Sequence, residues 1–311
     1  MSTRLLVKNF IHSFETLNLC QKEVVLELKK YDFFNDISIN CSSINFITSF
    51  RKNFFTLLML TLINESKISS SRTISYGKII IFLRQIVTSA DNILDNEKKG
   101  NIFIPSLNNP LVENSFISLI FQDLLTKEIF KLSPENQKAH LILNESIYSI
   151  AKGESIRKRE MYREYPSSNF IIENIHKYIG GKLLEISLII PNLLENNPKI
   201  TQFSEGLFTI GMSLQALDDF FDIDEDLKNG DINLAIAKYL EEFKIDEKNI
   251  EFKNINIDFI EKYLADTINI AYDGFFKLQN AGFPINSKEI KFILKKLFIL
   301  RGLKGYTHYI K

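Results

Sequence analysis

Tryptophan is missing from this 311-residue sequence, and cysteine nearly so, with Cys20 and Cys41 the only two. Two isolated thiols build neither a disulfide framework nor a C-x-x-C metal site, and that usage suits a reducing cytosol, so a cytoplasmic location is expected. Charge of one sign is lacking as well. The 38 basic and 38 acidic side chains cancel to a formal net charge of +0, which leaves no basic excess for nucleic acid. No apolar run approaches the roughly 18 residues of a membrane span, and the N-terminus carries no signal-peptide core. Proline and glycine are scarce, 7 and 12, and they cluster between periodic segments. No alternating strand pattern flanked by hairpin turns occurs, so the chain reads as almost entirely helical.

Apolar side chains are plentiful at 45%, and 26 of the residues are phenylalanine. Such a chain can fill a large core or line an apolar cavity with aromatic faces. Hydrophobic periodicity predicts helices near residues 3–16, 18–33, 43–65, 74–97, 112–131, 135–152, 167–195, 200–228, 231–242, 256–280 and 288–308. Ser133-Pro134 reads as an N-cap followed by proline at the first helical position. Residues 98–111, with Pro105 and Pro110, read as a flap beside an acidic stretch, and 241–255 as an exposed connection. No internal repeat and no domain boundary is evident, so residues 1–311 are expected to form one domain.

Two acidic stretches stand out. In Leu214 to Leu234, an apolar helix turns abruptly acidic. At about 100° per residue Asp218, Asp222 and Asp226 lie along one face, with Asp219 beside them. Stacked carboxylates repel, and a hard divalent cation with oxygen ligands offsets that cost. A run of acids alone is more often a solvated face. Here Phe203, Leu207, Ile210, Leu214 and Leu217 lead in at helical spacing, which places the acids at the rim of a core or cavity. The second stretch repeats the plan. Nearly continuous apolar residues from Ile79 to Val87 give way to Asp91 and Asp95, again four apart, and then to Lys98 and Lys99. Two such helix ends facing one opening have room for two or three Mg²⁺ ions, three being the expected complement, and these ions would in turn hold a diphosphate.

The segment 152–165 is densely charged and includes Arg157, Arg159 and Arg163. It reads either as a solvated loop or as a basic flap over an anion. Gly180-Gly181 interrupts an apolar helix. It marks a kink or backbone exposed to a ligand on one reading, and close helix packing on the other. Gly230-Asp231 reads as a helix stop followed by an N-cap. His12, His140, His176 and His308 read as structural, and Arg301, Lys304, Tyr306 and Tyr309 as a frayed amphipathic end.

These stretches resemble the two aspartate-rich motifs of class I isoprenoid synthases. Asp218-Asp219-x-x-Asp222 is similar to the second motif of trans-polyprenyl diphosphate synthases. The first motif departs from theirs, with Asn92 in place of a second aspartate and Ala90 in place of histidine. Their Gly-Lys-Arg-x-Arg-Pro segment is also missing, the nearest stretch being Ser49 to Asn53. A closer resemblance is to the large-terpene cyclases of the tetraprenyl-β-curcumene synthase family. It rests on Asp91-Asn92-x-x-Asp95, on Tyr162-x-x-Tyr165-Pro166, and on the spacing of Asp218, Asp222, Asp226, Gly230, Asp231 and Asn233.

The resemblance implies an all-α, single-domain isoprenoid-synthase bundle around a central apolar cavity. It implies Mg²⁺ held by Asp91, Asp95, Asp218, Asp219, Asp222 and Asp226, with Asp91, Asp95, Asp218 and Asp222 essential to catalysis. Lys98, Lys99 and Lys228, then Arg157, Arg159 and Arg163, are the expected diphosphate contacts. Phe82, Phe116, Phe208 and Phe220 are the expected cavity walls, each worth about 2 kcal/mol to a desolvated cation. The implied reaction is ionisation of a linear prenyl diphosphate and conversion of the cation to a terpene, a lyase activity. The alternative is a prenyltransferase that elongates an allylic diphosphate with isopentenyl diphosphate. A non-catalytic partner subunit and a hydrolase releasing prenyl alcohol are further readings. The expected ligand is a small prenyl diphosphate, with transient membrane contact through a lipophilic substrate or product, and the chain is expected to form a homodimer.

Overall fold

A computed structural model of the chain describes residues 2–39, 46–95, 100, 102–135, 137–245, 247, 250, 255–300 and 304–310. The architecture is all-α. In order come α1 (Ser2–Leu28), α2 (Phe46–Lys52), α3 (Phe54–Glu65), α4 (Ser70–Asp95), α5 (Pro110–Leu132), α6 (Gln137–Ser155) and α7 (Ser168–Ile171). A wide-turned π-helical stretch, Ile172–Lys182, carries α7 into α8 (Leu183–Glu195). Then follow α9 (Pro198–Phe221), α10 (Ile223–Asn229), α11 (Leu234–Phe243), α12 (Ile257–Asn280), α13 (Ser287–Leu300) and a 3₁₀ turn at Lys304–Tyr309. Among the described residues no helix is long and apolar enough to cross a membrane.

The helices follow the apolar periodicity closely, with instructive departures. The expected break near residue 17 does not occur. Leu6, Phe10, Ser13, Leu17, Cys20, Val24 and Leu28 are all buried, so one stripe at three- and four-residue steps runs unbroken through α1. Ser133 closes α5 instead of opening α6, and α5 itself starts at an Asn-Pro pair, Asn109-Pro110. The Asn109 side chain accepts from the Leu111 and Val112 N–H groups, and Pro110 occupies the first turn.

The chain divides into two compact units. One comprises residues Arg4–Ile142 together with Ile190–Ile200. Its α3 is buried on every side, with Leu57, Leu58, Leu60, Leu62 and Ile63 fully enclosed. Lys78 of α4 and Glu128 of α5 form a buried ion pair at 2.6 Å. A two-residue antiparallel ladder pairs β1 (Ser38–Ile39) with β2 (Ile102–Phe103). The Glu113 carboxylate accepts from the Ile104 N–H at 2.7 Å. The described part of the 98–111 loop, read above as a flap, is tied by these two contacts.

The other unit comprises Leu143–Ile189 and Thr201–Lys311 with the first three residues. In α12 the buried face runs Phe259, Tyr263, Thr267, Ala271, Gly274 and Leu278, and the Asn256 side chain caps it by accepting from the Asp258 N–H. The π stretch meets α9 backbone to backbone. A Cβ on Gly180 would stand 2.6 Å from the Gly211 carbonyl oxygen, and one on Gly181 would strike the Phe208 ring. The glycine pair thus serves close helix packing.

Candidate active site

The acidic end of α9 is built in layers. Asp218 is half-buried, Asp222 is exposed, and Asp226 is buried. The backbone pauses at Asp222 (φ −93°, ψ 13°), which separates α9 from α10. The hydrogen-bond ladder crosses that pause, from the Asp222 N–H to the Asp218 carbonyl at 3.0 Å and from the Asp226 N–H to the Asp222 carbonyl at 2.6 Å. The four-residue spacing of the three carboxylates therefore survives the break. Gly230 ends α10 in the left-handed conformation at φ 67°, as a C-cap needs.

Asp219 has a different role from its neighbours. Only 3% exposed, it is turned inward, and its carboxylate is met by protein groups. It accepts from the Leu234 N–H at 2.6 Å and the Gln215 amide at 3.0 Å, and the His176 Nε2 lies 2.9 Å away. Burial alone would raise its pKa, but the His176 ring and these hydrogen bonds hold it below the usual carboxylate range. Asp219 is a brace beneath the acidic end, where the sequence places it among the metal ligands.

Asn233 joins the parts. Its side-chain oxygen caps α11 by accepting from the Ala235 and Ile236 N–H groups, the N-cap place expected of Asp231. Its amide nitrogen donates to Asp226 Oδ2 at 2.7 Å and to the Asp219 carbonyl. Burial pushes the Asp226 carboxyl up to about 7; the charge of Asp219 adds to the rise, while Asn233 and Arg157 oppose it. Asp231 pairs instead with Lys158 at 2.7 Å.

The basic segment is largely engaged with protein. Arg157 bonds Glu154 at 3.1 Å, and its charge is favoured by Asp219, Asp226 and Asp231 against the cost of burial. Arg159 is committed to Glu247 at 2.8 Å and to the Tyr162 carbonyl at 2.6 Å. Arg163 and Lys228 are exposed.

In the first unit, Asp91 is exposed near the end of α4. Asn92 is 4% exposed and points into α5, its amide donating to Asn114 Oδ1 at 3.0 Å, while Asn114 donates to the Pro110 carbonyl at 2.9 Å. An amide suits this position because a carboxylate there would face the Asn114 oxygen. Asp95 is the last residue of α4; its side chain, with Lys98 and Lys99, lies outside the described residues.

Sequence reasoning misses Arg84, seven residues before Asp91 and on the same face of α4. It is exposed to water yet crowded by protein, which weighs against its charge. Its guanidinium donates to Asn53 Oδ1 at 2.5 Å, Thr56 Oγ1 at 3.3 Å and the Lys52 carbonyl at 3.3 Å, all uncharged acceptors.

Of the expected cavity walls, Phe82 is wholly buried against Phe121, and Phe220 packs among Phe221, Tyr263 and Tyr306. Both lie in aromatic packing, Phe82 0% and Phe220 1% exposed. Phe116 and Phe208 are half-buried, Phe116 against Phe33 and Phe208 over Gly181.

Among the described residues no three acidic, histidine or cysteine side chains stand close enough to cage a metal ion. The donor set nonetheless fits Mg²⁺. That ion takes one or two carboxylates and completes its shell with water and substrate phosphate, and Asp218 and Asp222 are accessible hard-oxygen donors one turn apart.

No protein-family model matches the chain, and no curated protein matches its sequence. Solved structures do match its fold. A polyprenyl synthase from Caulobacter crescentus CB15, complexed with calcium and isoprenyl diphosphate, superposes with a TM-score of 0.59 at 13% identity, covering 97% of this chain and 98% of its own. Heptaprenyl diphosphate synthase from Staphylococcus aureus gives 0.56 at 16% identity, covering 94% and 98%. Geranylgeranyl pyrophosphate synthetase from the archaeon Geoglobus acetivorans gives 0.55 at 16% identity, covering 95% and 98%. The chain thus has the all-α fold of these isoprenoid synthases. They correct the terpene-cyclase reading: the three structures named here, each matched over nearly its whole length, are prenyl synthases by name and none is a terpene cyclase.

Proposed function

We propose that this chain is a trans-prenyltransferase that elongates an allylic prenyl diphosphate with isopentenyl diphosphate. The observation that carries the reading is the accessible Asp218–Asp222 face at the end of an apolar helix, in a fold shared end to end with prenyl diphosphate synthases. Asp91, Asp95, Asp218, Asp222 and Asp226 would hold Mg²⁺, three ions being the complement this reading carries. Mg²⁺ held there would supply positive charge to offset that of the leaving diphosphate.

The carbon–oxygen bond of the allylic diphosphate breaks, and its electron pair leaves with pyrophosphate. The terminal double bond of isopentenyl diphosphate supplies the pair for the new carbon–carbon bond, and one proton passes to the departed pyrophosphate. The chain's own part is to orient the acidic face, through Asp219, His176 and Asn233, and to meet phosphate with cations. Lys98, Lys99, Lys228 and Arg163 serve the leaving diphosphate. Arg84, which meets no carboxylate among the described residues, together with Lys52 supports a second diphosphate in place of the missing Gly-Lys-Arg-x-Arg-Pro segment. A cytosolic location, a homodimer and transient membrane contact by the lipophilic product belong to the same reading.

The test is incubation of the full chain with Mg²⁺ and farnesyl diphosphate, with and without isopentenyl diphosphate. Longer prenyl diphosphates formed only in the presence of isopentenyl diphosphate are expected. Hydrocarbon made from the allylic diphosphate alone would overturn the reading. Arg84→Ala is expected to raise KM for isopentenyl diphosphate by about tenfold, with KM for the allylic substrate little changed.

A further inference from the structure

Residues 156–165 are stitched to the acidic turn by a pair of backbone hydrogen bonds, an ion pair and a tyrosine, all within one compact unit. The Arg159 N–H donates to the Gly230 carbonyl at 2.8 Å, and the Ile232 N–H to the Arg157 carbonyl at 2.7 Å. The Lys158 ammonium meets Asp231 at 2.7 Å. The tyrosine is Tyr165. Its hydroxyl accepts from the Asn233 N–H at 2.8 Å and donates to the Asn233 carbonyl at 3.2 Å. One phenol oxygen thus engages both backbone groups of a single residue and fixes its orientation. The ring is itself held, with the Arg159 guanidinium 5.6 Å from its centroid.

Asn233 passes that orientation on. Its backbone is held by Tyr165, and its amide nitrogen holds Asp226 Oδ2 at 2.7 Å. A tilt of Asn233 would move the one donor that, among the described residues, hydrogen-bonds the third carboxylate of the acidic face.

We propose that Tyr165 is a positioning residue for divalent-cation binding, setting the Asp226 carboxylate through Asn233 without touching substrate. The inference rests on the metal-binding reading of the acidic face given above. Outer-shell partners of metal ligands are typically worth about 10- to 100-fold in affinity, so removing this hydroxyl should be felt at the ion.

Tyr165→Phe keeps the ring and deletes the hydroxyl. Mn²⁺ is the probe, titrated into the full chain without substrate and followed by electron paramagnetic resonance. Unfolding in EDTA and the Mg²⁺ dependence of turnover are measured alongside. The Mn²⁺ dissociation constant is expected to rise about tenfold in Tyr165→Phe. The activating Mg²⁺ concentration should rise by a similar factor, with kcat at saturating Mg²⁺ changed by no more than about twofold.

Two further variants separate this route from general loosening. Tyr162→Phe removes the neighbouring hydroxyl, which donates to the Ile156 carbonyl at 3.0 Å, and should leave Mn²⁺ affinity at the wild-type value. Asn233→Ser keeps a capping oxygen for α11 but falls short of Asp226, and should reproduce the loss with Tyr165 intact. Wild-type Mn²⁺ affinity in Tyr165→Phe or in Asn233→Ser, or an equal loss in Tyr162→Phe, overturns the proposal. If Tyr165→Phe fails to fold, Asn233→Ser decides. If the wild-type chain itself binds no Mn²⁺, the metal reading falls together with this one, whereas failure in the variants alone leaves that reading standing.

Discussion

The two acidic stretches are built on opposite plans. At the end of α9 the outer carboxylates stand on a buried polar layer: Asp219 takes up His176, Gln215 and the Leu234 N–H, while Asn233 spans Asp226 and the cap of α11. At the end of α4 Asp91 is exposed, and the inward contact described beside it is an amide pair, Asn92 with Asn114. The first plan fixes carboxylates by cross-bracing elements distant in sequence. The second sets a neutral side chain where the described face turns inward. A buried acid is tolerated where several donors meet it and is replaced by an amide where they do not.

The sharpest way to break this comparison is to remove an outer acid from each stretch. Asp222→Ala and Asp91→Ala should each lower kcat/KM by about 10³-fold with unchanged helical circular dichroism, if both faces hold the same chemistry. Loss from only one variant would mean that a single stretch carries it.

The next largest effect separates brace from ligand. Asp219→Ala leaves His176 and the Leu234 N–H without their acceptor and should cost about 3–5 kcal/mol in urea unfolding. Asp218→Ala, one residue away and half-buried, should cost about 0.5 kcal/mol and act on Mg²⁺-dependent turnover instead. Equal stabilities would sink the layered description.

Asn92→Asp restores the aspartate pair of the polyprenyl synthase motif. It should destabilise the chain by about 1–3 kcal/mol, because the new carboxylate faces Asn114 Oδ1, and should bring no gain in turnover. Smallest of all, Glu225→Ala removes an exposed acid off the shared face. Stability within about 0.5 kcal/mol and near-normal turnover would confirm that the face matters, and not the acidic run.

Much of the fold is legible in the residues because helices write their burial at a period of 3.6. The stripe of α12 can be read directly from Phe259 to Leu278, whereas the stripe of α1 from Leu6 to Leu28 runs through the break expected near residue 17. The outer acids are legible for the same reason. The inward turn of Asp219 is not, since its partners His176 and Leu234 lie 43 and 15 residues away and no local spacing announces them. Asp231 and Asn233 are equally good capping residues by type, and only the apolar run Leu234–Ala237 directly after Asn233 distinguishes them. Arg84 escapes notice because a lone arginine in an apolar helix reads as a surface residue until its ties to the 52–56 segment are seen.

The wide turns of Ile172–Lys182 affect how this chain compares with others of its fold. A π turn takes up more residues than an α turn for a similar advance along the axis. A chain that runs as an ordinary helix through the same stretch falls out of step with this one by the time Gly180 is reached. Any pairing of the two made without coordinates then drifts from there toward α8. Shortening the stretch by a single residue would rotate Gly180 away from Gly211 and drive a side chain into the space where two backbones now touch.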